Sequence, residues 1–394
     1  MLTSITTNQE PSRNLRHEKA LWHDESRSAL SLGCTACATR AICGGLQVSR
    51  PLFDCTGFCC QKPERCDSVC RNKPFEFAQR VREISGFDFA NVPRASVLPA
   101  PSLPRLVPVL YHKNNRIAPF AGPAAVCFPL YRVIRRQNGQ ARYLSSDELA
   151  AGFTVARNIP VILTGTAQDA ALERWWSLGP ERREAIRALK LLGVALVTTP
   201  NFSLFVDQPR WDDLHSMKRI AIVHEEFLSE GMPAALHLNA RTDKDWDRWR
   251  GHIAAREEIT HVAFEFATGA GWKGRIDWQA DQLMRFARAI ERPLHLIVRG
   301  GNTVLPDLEK AFANVTLLDT TVFMKTSYRQ KALLDTSGVI TWDKSPTQSQ
   351  ESLDELLATN WSTVWSSYNR ILHECVPPKS SFSAFSREAA TEAA

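Results

Sequence analysis

Apolar positions along the chain fall into two alternating rhythms. Short β-type runs occur at Val107–Tyr111, Ala125–Ile134, Pro160–Thr164, Val194–Thr199, Ala234–Asn239, His261–Phe266, Leu294–Arg299 and Val315–Leu318, and each predicts a strand. Between them, spacing of three to four predicts helices over Ala170–Leu191, Trp211–Glu230, Asp243–Arg256, Trp278–Glu291 and Leu305–Phe312. Such alternation marks βαβ units and a parallel sheet. Eight strands over residues 109–343 fit an α/β fold of the (β/α)8-barrel type, with an open doubly wound sheet as the alternative. Asn138-Gly139 predicts a hairpin turn that lengthens the second strand, and Ser145 to Glu148 has the spacing of a capping box, opening a helix near Ser146.

Both flanks of the barrel read differently. Residues 1–33 are polar, residues 34–91 are rich in cysteine, and Pro74–Ile84 has the spacing of a short amphipathic helix. Residues 92–108 carry proline at a frequency that predicts a stiff linker. Within 344–376, Leu353, Leu356, Leu357, Trp361, Val364, Trp365, Tyr368, Ile371 and Leu372 predict a C-terminal amphipathic helix docked on the barrel wall. The small, polar stretch 377–394 is expected to be disordered.

Cys34, Cys37, Cys43, Cys55, Cys59, Cys60, Cys66 and Cys70 occupy one short stretch. Disulfides suit secreted domains, and the polar N-terminus lacks a secretory signature, so metal binding is the favoured reading. Eight thiolates suffice for two four-thiolate zinc sites. Irregular spacing and the adjacent Cys59-Cys60 pair favour an iron–sulfur cluster, expected as [4Fe-4S], over zinc. The interval pattern of radical S-adenosylmethionine enzymes is missing, so the expected role is to staple a segment too short for its own core.

Side-chain alternation locates the candidate chemistry. In the fifth strand Ala235, His237 and Asn239 share one side, opposite Leu236 and Leu238. In the sixth Ala263, Glu265 and Ala267 oppose Val262, Phe264 and Phe266; in the seventh His295, Ile297 and Arg299 oppose Leu294, Leu296 and Val298. If the bulky sets meet the helices, the polar sets point into the barrel. Ionisable groups are costly to bury unless they pair or bind something, and barrel enzymes keep their sites at the C-terminal strand ends. Glu265, His237 and Asp319 are therefore the catalytic candidates, while Asn239, Arg299, Gly300, Gly301 and Asn201 are the ligand-binding ones. His295 lies too early in its strand to reach the mouth. Gly300-Gly301 after the seventh strand could approach an anion through backbone N–H groups, although a tight turn is the default explanation. The run Gly269 to Gly274 fits G-x-G-x-x-G and reads mainly as a flexible loop.

A net charge of +6 over 394 residues is too mild to demand a nucleic-acid partner. No apolar run is long enough to span a bilayer, and with no export signal the expected location is the cytoplasm. Motifs of P-loop nucleotide hydrolases, G-x-S-x-G esterases and H-E-x-x-H metalloproteases are missing.

Thr199-Pro200-Asn201-Phe202-Ser203-Leu204-Phe205-Val206-Asp207-Gln208-Pro209 resembles the P-[DN]-[FY]-S-[LM]-[FY]-x-D-x-P stretch of an uncharacterised bacterial and phage family, a domain of unknown function. The resemblance covers the barrel half and implies that fold, with a nucleic-acid or mobile-element setting by association. The expected function is a barrel enzyme acting on a phosphate-bearing ligand, a nucleotide or nucleic acid. The alternative is a non-catalytic nucleic-acid-binding protein that uses Arg132, Arg135, Arg136 and Arg142.

Overall fold

The computed structural model describes residues 29–30, 47–48, 80–99, 101–113, 115–135, 137–204, 210–268, 275–336, 338–344 and 350–375. The eight cysteines, the tail and the G-x-G-x-x-G run lie outside the described residues, apart from the antiparallel pairing of Ala29–Leu30 with Gln47–Val48.

Eight parallel strands form the centre: β1 (Leu106–Pro108), β2 (Val126–Pro129), β3 (Val161–Thr164), β4 (Val194–Thr198), β5 (Ala234–His237), β6 (His261–Glu265), β7 (His295–Arg299) and β8 (Asn314–Asp319). Their spatial order is β1-β8-β7-β6-β5-β4-β3-β2. The two ends meet at a parallel bridge between Val109 and Cys127, where the Leu110 N–H donates to the Cys127 carbonyl at 2.8 Å. This is a (β/α)8-type barrel rather than an open sheet. Outer helices are α1 (Leu130–Val133), α2 (Ser146–Phe153), α3 (Asp169–Ser177), α4 (Glu181–Leu191), α5 (Arg210–Ser229), α6 (Asp243–Ala254), α7 (Ile276–Ile290), α8 (Leu305–Ala311) and α9 (Thr321–Ser327).

Local chemistry explains where the elements begin and end. Ser145 caps α2 by accepting the Glu148 N–H at 3.2 Å, as the spacing predicted. Thr242 and Asp245 form a full capping box on α6. Two boundaries differ from the sequence reading. The predicted helix over residues 170–191 breaks into α3 and α4 at Gly179-Pro180, where Gly179 takes a φ of +54°. The predicted second strand stops at Pro129, and Leu130–Val133 turns helical, since a short apolar run suits either state. The turn at Gly139 survives as a small loop held by an Ile134–Ala141 bridge.

Residues 92–108, expected to act as a spacer, are instead built into the barrel. Leu103 seals the floor, meaning the N-terminal strand ends, and Leu106–Pro108 is β1 itself. Proline fits here because β1 is only three residues long. Upstream, residues 80–94 run down the outer wall from mouth to floor. Trp176 and His215 hold Glu83, Lys218 donates to the Asp88 carbonyl and Asn91, and Arg248 donates to the Phe87 carbonyl at 2.8 Å. Arg256 reaches the Val92 and Pro93 carbonyls, Arg94 grips Glu258 through two bonds of 2.7 and 2.8 Å, and Phe89 stacks on Trp249.

After α9, the hairpin β9 (Gln330–Leu334) and β10 (Ile340–Lys344) leads to α10 (Asp354–Cys375). The predicted stripe docks this helix on the barrel wall. Leu353, Leu356, Leu357, Trp361, Val364 and Tyr368 are buried, whereas Trp365 and Ile371 face solvent. Tyr368 anchors it by donating to the Arg105 carbonyl at 3.1 Å. No helix among the described residues is long and apolar enough to cross a membrane.

Candidate functional site in the barrel mouth

Strand parity is as the alternation predicted. Ala235, Ala263 and Ile297 join Val107, Cys127, Ile162, Leu196 and Leu318 in the inner core, while Leu236, Val262, Phe264, Leu296 and Val298 pack outward against the helices. Register then sorts the interior by height. His261 and His295 are partners at the floor and stack with ring centroids 4.7 Å apart. Ala263 and Ile297 fill the middle, and Glu265 and Arg299 are partners at the mouth.

Glu265 Oε2 lies 2.6 Å from Arg299 Nε, and Glu265 Oε1 accepts the Ala267 N–H at 2.8 Å. The carboxylate is only 3% exposed and the guanidinium 18%. Burial pushes the Glu265 carboxyl above its usual range, against the opposing pull of Arg299, the Ala267 N–H and the Thr166 hydroxyl. His237 approaches from β5, with Nε2 3.4 Å from the Thr166 hydroxyl. Burial, reinforced by Arg299, pushes its imidazole down to about 3, so it is neutral at physiological pH. Its Nδ1 is buried and has no hydrogen-bond partner among the described residues. The cluster thus offers a paired carboxyl, a guanidinium and a neutral imidazole with one unused ring nitrogen.

Thr164-Gly165-Thr166 and Thr198 to Ser203 follow the third and fourth strands, so the sequence itself brings hydroxyls to this rim. Thr166 bridges His237 and Glu265; it sits on a loop that Gly165 lets fold flat, since a Cβ there would lie 2.4 Å from the Thr198 carbonyl oxygen. Tyr111 and the buried thiol of Cys127 lie beside Arg299. Thr199 accepts the His237 N–H at 2.9 Å and fixes the end of β5. Tyr111 and Cys127, by contrast, carry no signal in the sequence.

The remaining candidates separate. Asn239 and Asn201 meet at 2.9 Å, and Asn239 also donates to the Phe202 carbonyl, tying the β4 and β5 loops at the rim. Asp319 does not join the cluster. Leu318 takes the inward position of β8, so Asp319 shares the outward parity of Leu317 and accepts the Val322 N–H at 2.8 Å, closing the start of α9. Gly300 and Gly301 serve a turn, with φ of +74° and +76°; a Cβ would strike the Ala267 nitrogen at the first and the Phe266 ring at the second. Among the described residues no group of His, Cys, Asp and Glu is arranged to hold a metal ion.

Among the described residues burial keeps six imidazoles below their ordinary range: His215 and His252 at about 2, His237 at about 3, His224 and His261 at about 4, and His112 as well. Unfolding restores values of about 6.5, so the unfolded chain binds more protons between those limits. Stability should therefore fall steadily as the pH drops below about 6.5. Urea titrations at pH 7.5, 6 and 5 check this; a flat midpoint over that range contradicts buried neutral histidines. Glu265 works in the opposite sense, its raised folded value costing stability as the pH rises through it.

The fold and the mouth define a (β/α)8-type barrel with a polar cluster at its C-terminal strand ends, the position of barrel active sites. The chain matches no protein-family model, and a comparison with curated proteins finds no relative. Function is read from the cluster itself.

Proposed function

We propose that the protein is a barrel enzyme acting on a phosphate-bearing ligand bound at the mouth. The observation that carries this reading is the Glu265–Arg299 pair beside the partnerless His237 Nδ1. Such a set is costly to bury for stability alone, and an ion pair replaced by apolar side chains is often no worse. Arg299 holds the anionic group. As that group takes over part of the guanidinium, Glu265 loses its counter-charge and takes up a proton, becoming a general acid–base at the reacting atoms. His237 Nδ1 orients the ligand by a neutral hydrogen bond. The Cys34–Cys70 thiolates are read as holding an iron–sulfur cluster or zinc that staples the N-terminal region; iron or zinc content of anaerobically purified protein decides between them.

Thermal-shift titration with inorganic phosphate and nucleoside mono-, di- and triphosphates tests the reading. One of them should raise the melting temperature of wild type in proportion to log concentration, and Arg299→Gln should abolish the rise. Turnover of the ligand so found should fall at least about hundredfold in Glu265→Gln. No shift with any of the four, or a shift retained in Arg299→Gln, refutes it.

A further inference from the structure

Charge is unevenly spread along this chain. Residues 89–146 contain no Asp or Glu but eight cations, Arg94, Arg105, Lys113, Arg116, Arg132, Arg135, Arg136 and Arg142, which exceeds the whole chain's net charge of +6. Part of this is structural. Arg94 pairs with Glu258 and Arg105 with Glu309, while the buried Arg116 donates to the carbonyls of His112, Lys113, Phe153 and Thr154. Four of the others collect on one arc of the rim. Lys113 follows β1, Arg132 lies on α1 directly after β2, and Arg135 and Arg142 flank the Gly139 turn; all four are exposed. None has a carboxylate partner among the described residues, unlike Arg182, Arg183, Arg187, Arg219 and Arg285 on the outer helices. Burial and, after it, the neighbouring Arg132 depress the His112 imidazole, which sets the β1 and β2 loops side by side as one positive arc. That arc borders the mouth holding Arg299 and Glu265, and Tyr111 of the same β1 loop lies beside Arg299.

We infer that the ligand is a single-stranded nucleic acid, its backbone lying on the Lys113–Arg132–Arg135–Arg142 arc while one nucleotide enters the mouth. This rests on the phosphate-ligand reading and narrows it from a free nucleotide to a polymer. Spaced, carboxylate-free cations suit a chain of phosphates, each contact releasing counterions. A single strand or an extruded nucleotide is required because Glu265 is 3% exposed, inside the strand ring where a stacked base pair cannot reach.

Fluorescence anisotropy with a fluorescein-labelled single-stranded DNA of about 20 nucleotides tests this on the full chain. Wild type should bind, and Arg132→Glu/Arg135→Glu/Arg142→Glu should weaken binding at least about tenfold. The slope of log Kd against log salt should fall by about 2, as three lost phosphate contacts on a single strand require. A charge-matched control on the outer helices, Arg187→Glu/Arg285→Glu/Arg288→Glu, should bind within about twofold of wild type. The inference is overturned if the rim triple variant, folded by circular dichroism, binds as tightly as wild type. It is also overturned if wild type ignores the oligonucleotide but binds phosphatidylserine vesicles. If the oligonucleotide fails while a nucleoside monophosphate still raises the melting temperature, the polymer inference falls alone; if neither binds, the phosphate reading falls with it.

Discussion

Arg299→Met should destabilise the protein by about 3–5 kcal/mol, because it strands the Glu265 carboxylate in the barrel without its counter-charge. The Ala267 N–H and the Thr166 hydroxyl remain but carry no full charge, so Glu265 protonates and the loss grows as the pH rises. Urea unfolding at pH 6 and 8 reads both effects. The double variant Glu265→Leu/Arg299→Met should recover most of the loss, since two apolar side chains remove the uncompensated charge. A single variant as stable as wild type at both pH values would mean that the pair contributes nothing to folding.

Gly165→Ala carries the second large expectation. The added methyl would lie 2.4 Å from the Thr198 carbonyl oxygen and 2.7 Å from the Pro200 nitrogen. Both are backbone atoms at the C-terminal end of β4, so no rotamer change relieves the clash. Overpacking of this kind costs about 1–3 kcal/mol. The functional loss should be larger than that figure suggests. Gly165 precedes Thr166, which touches both His237 and Glu265, and its carbonyl accepts the Tyr131 hydroxyl at 3.2 Å. A displaced loop therefore breaks the mouth from the β3 side. The expected result is a lower melting temperature together with loss of the phosphate-ligand shift, whereas Gly179→Ala, whose Cβ meets nothing within 4 Å, should keep that shift.

Periodicity made the barrel legible because strand parity and helix spacing are both written in side-chain polarity. Bulky apolar residues at every second position of β5, β6 and β7 leave His237, Glu265 and Arg299 on the inner side. Asp319 was misleading, since position at a strand end says nothing about parity, and Leu318 holds the inward place. Proline blurred only where β1 begins: its density suggests a spacer up to residue 108, so the predicted strand Val107–Tyr111 starts one residue late, yet a three-residue strand needs few backbone donors. Tyr111 and Cys127 reach the site from a loop and from the opposite side of the ring, and no local spacing announces that convergence.

The route of the chain before β1 bears on the order of assembly. Leu106 pairs with Leu317, so the ring cannot shut until the ribosome has delivered β8, while β2 through β7 pair with neighbours in sequence. Until then β1 would be an unsatisfied edge, open to mispairing. Residues 87–94 are gripped by Lys218, Arg248, Arg256 and Glu258, all of which precede β8 in the chain, so these contacts are able to hold that strand beside its slot before its partner emerges. Closure then needs only a short local step instead of a search by a free amino-terminal chain.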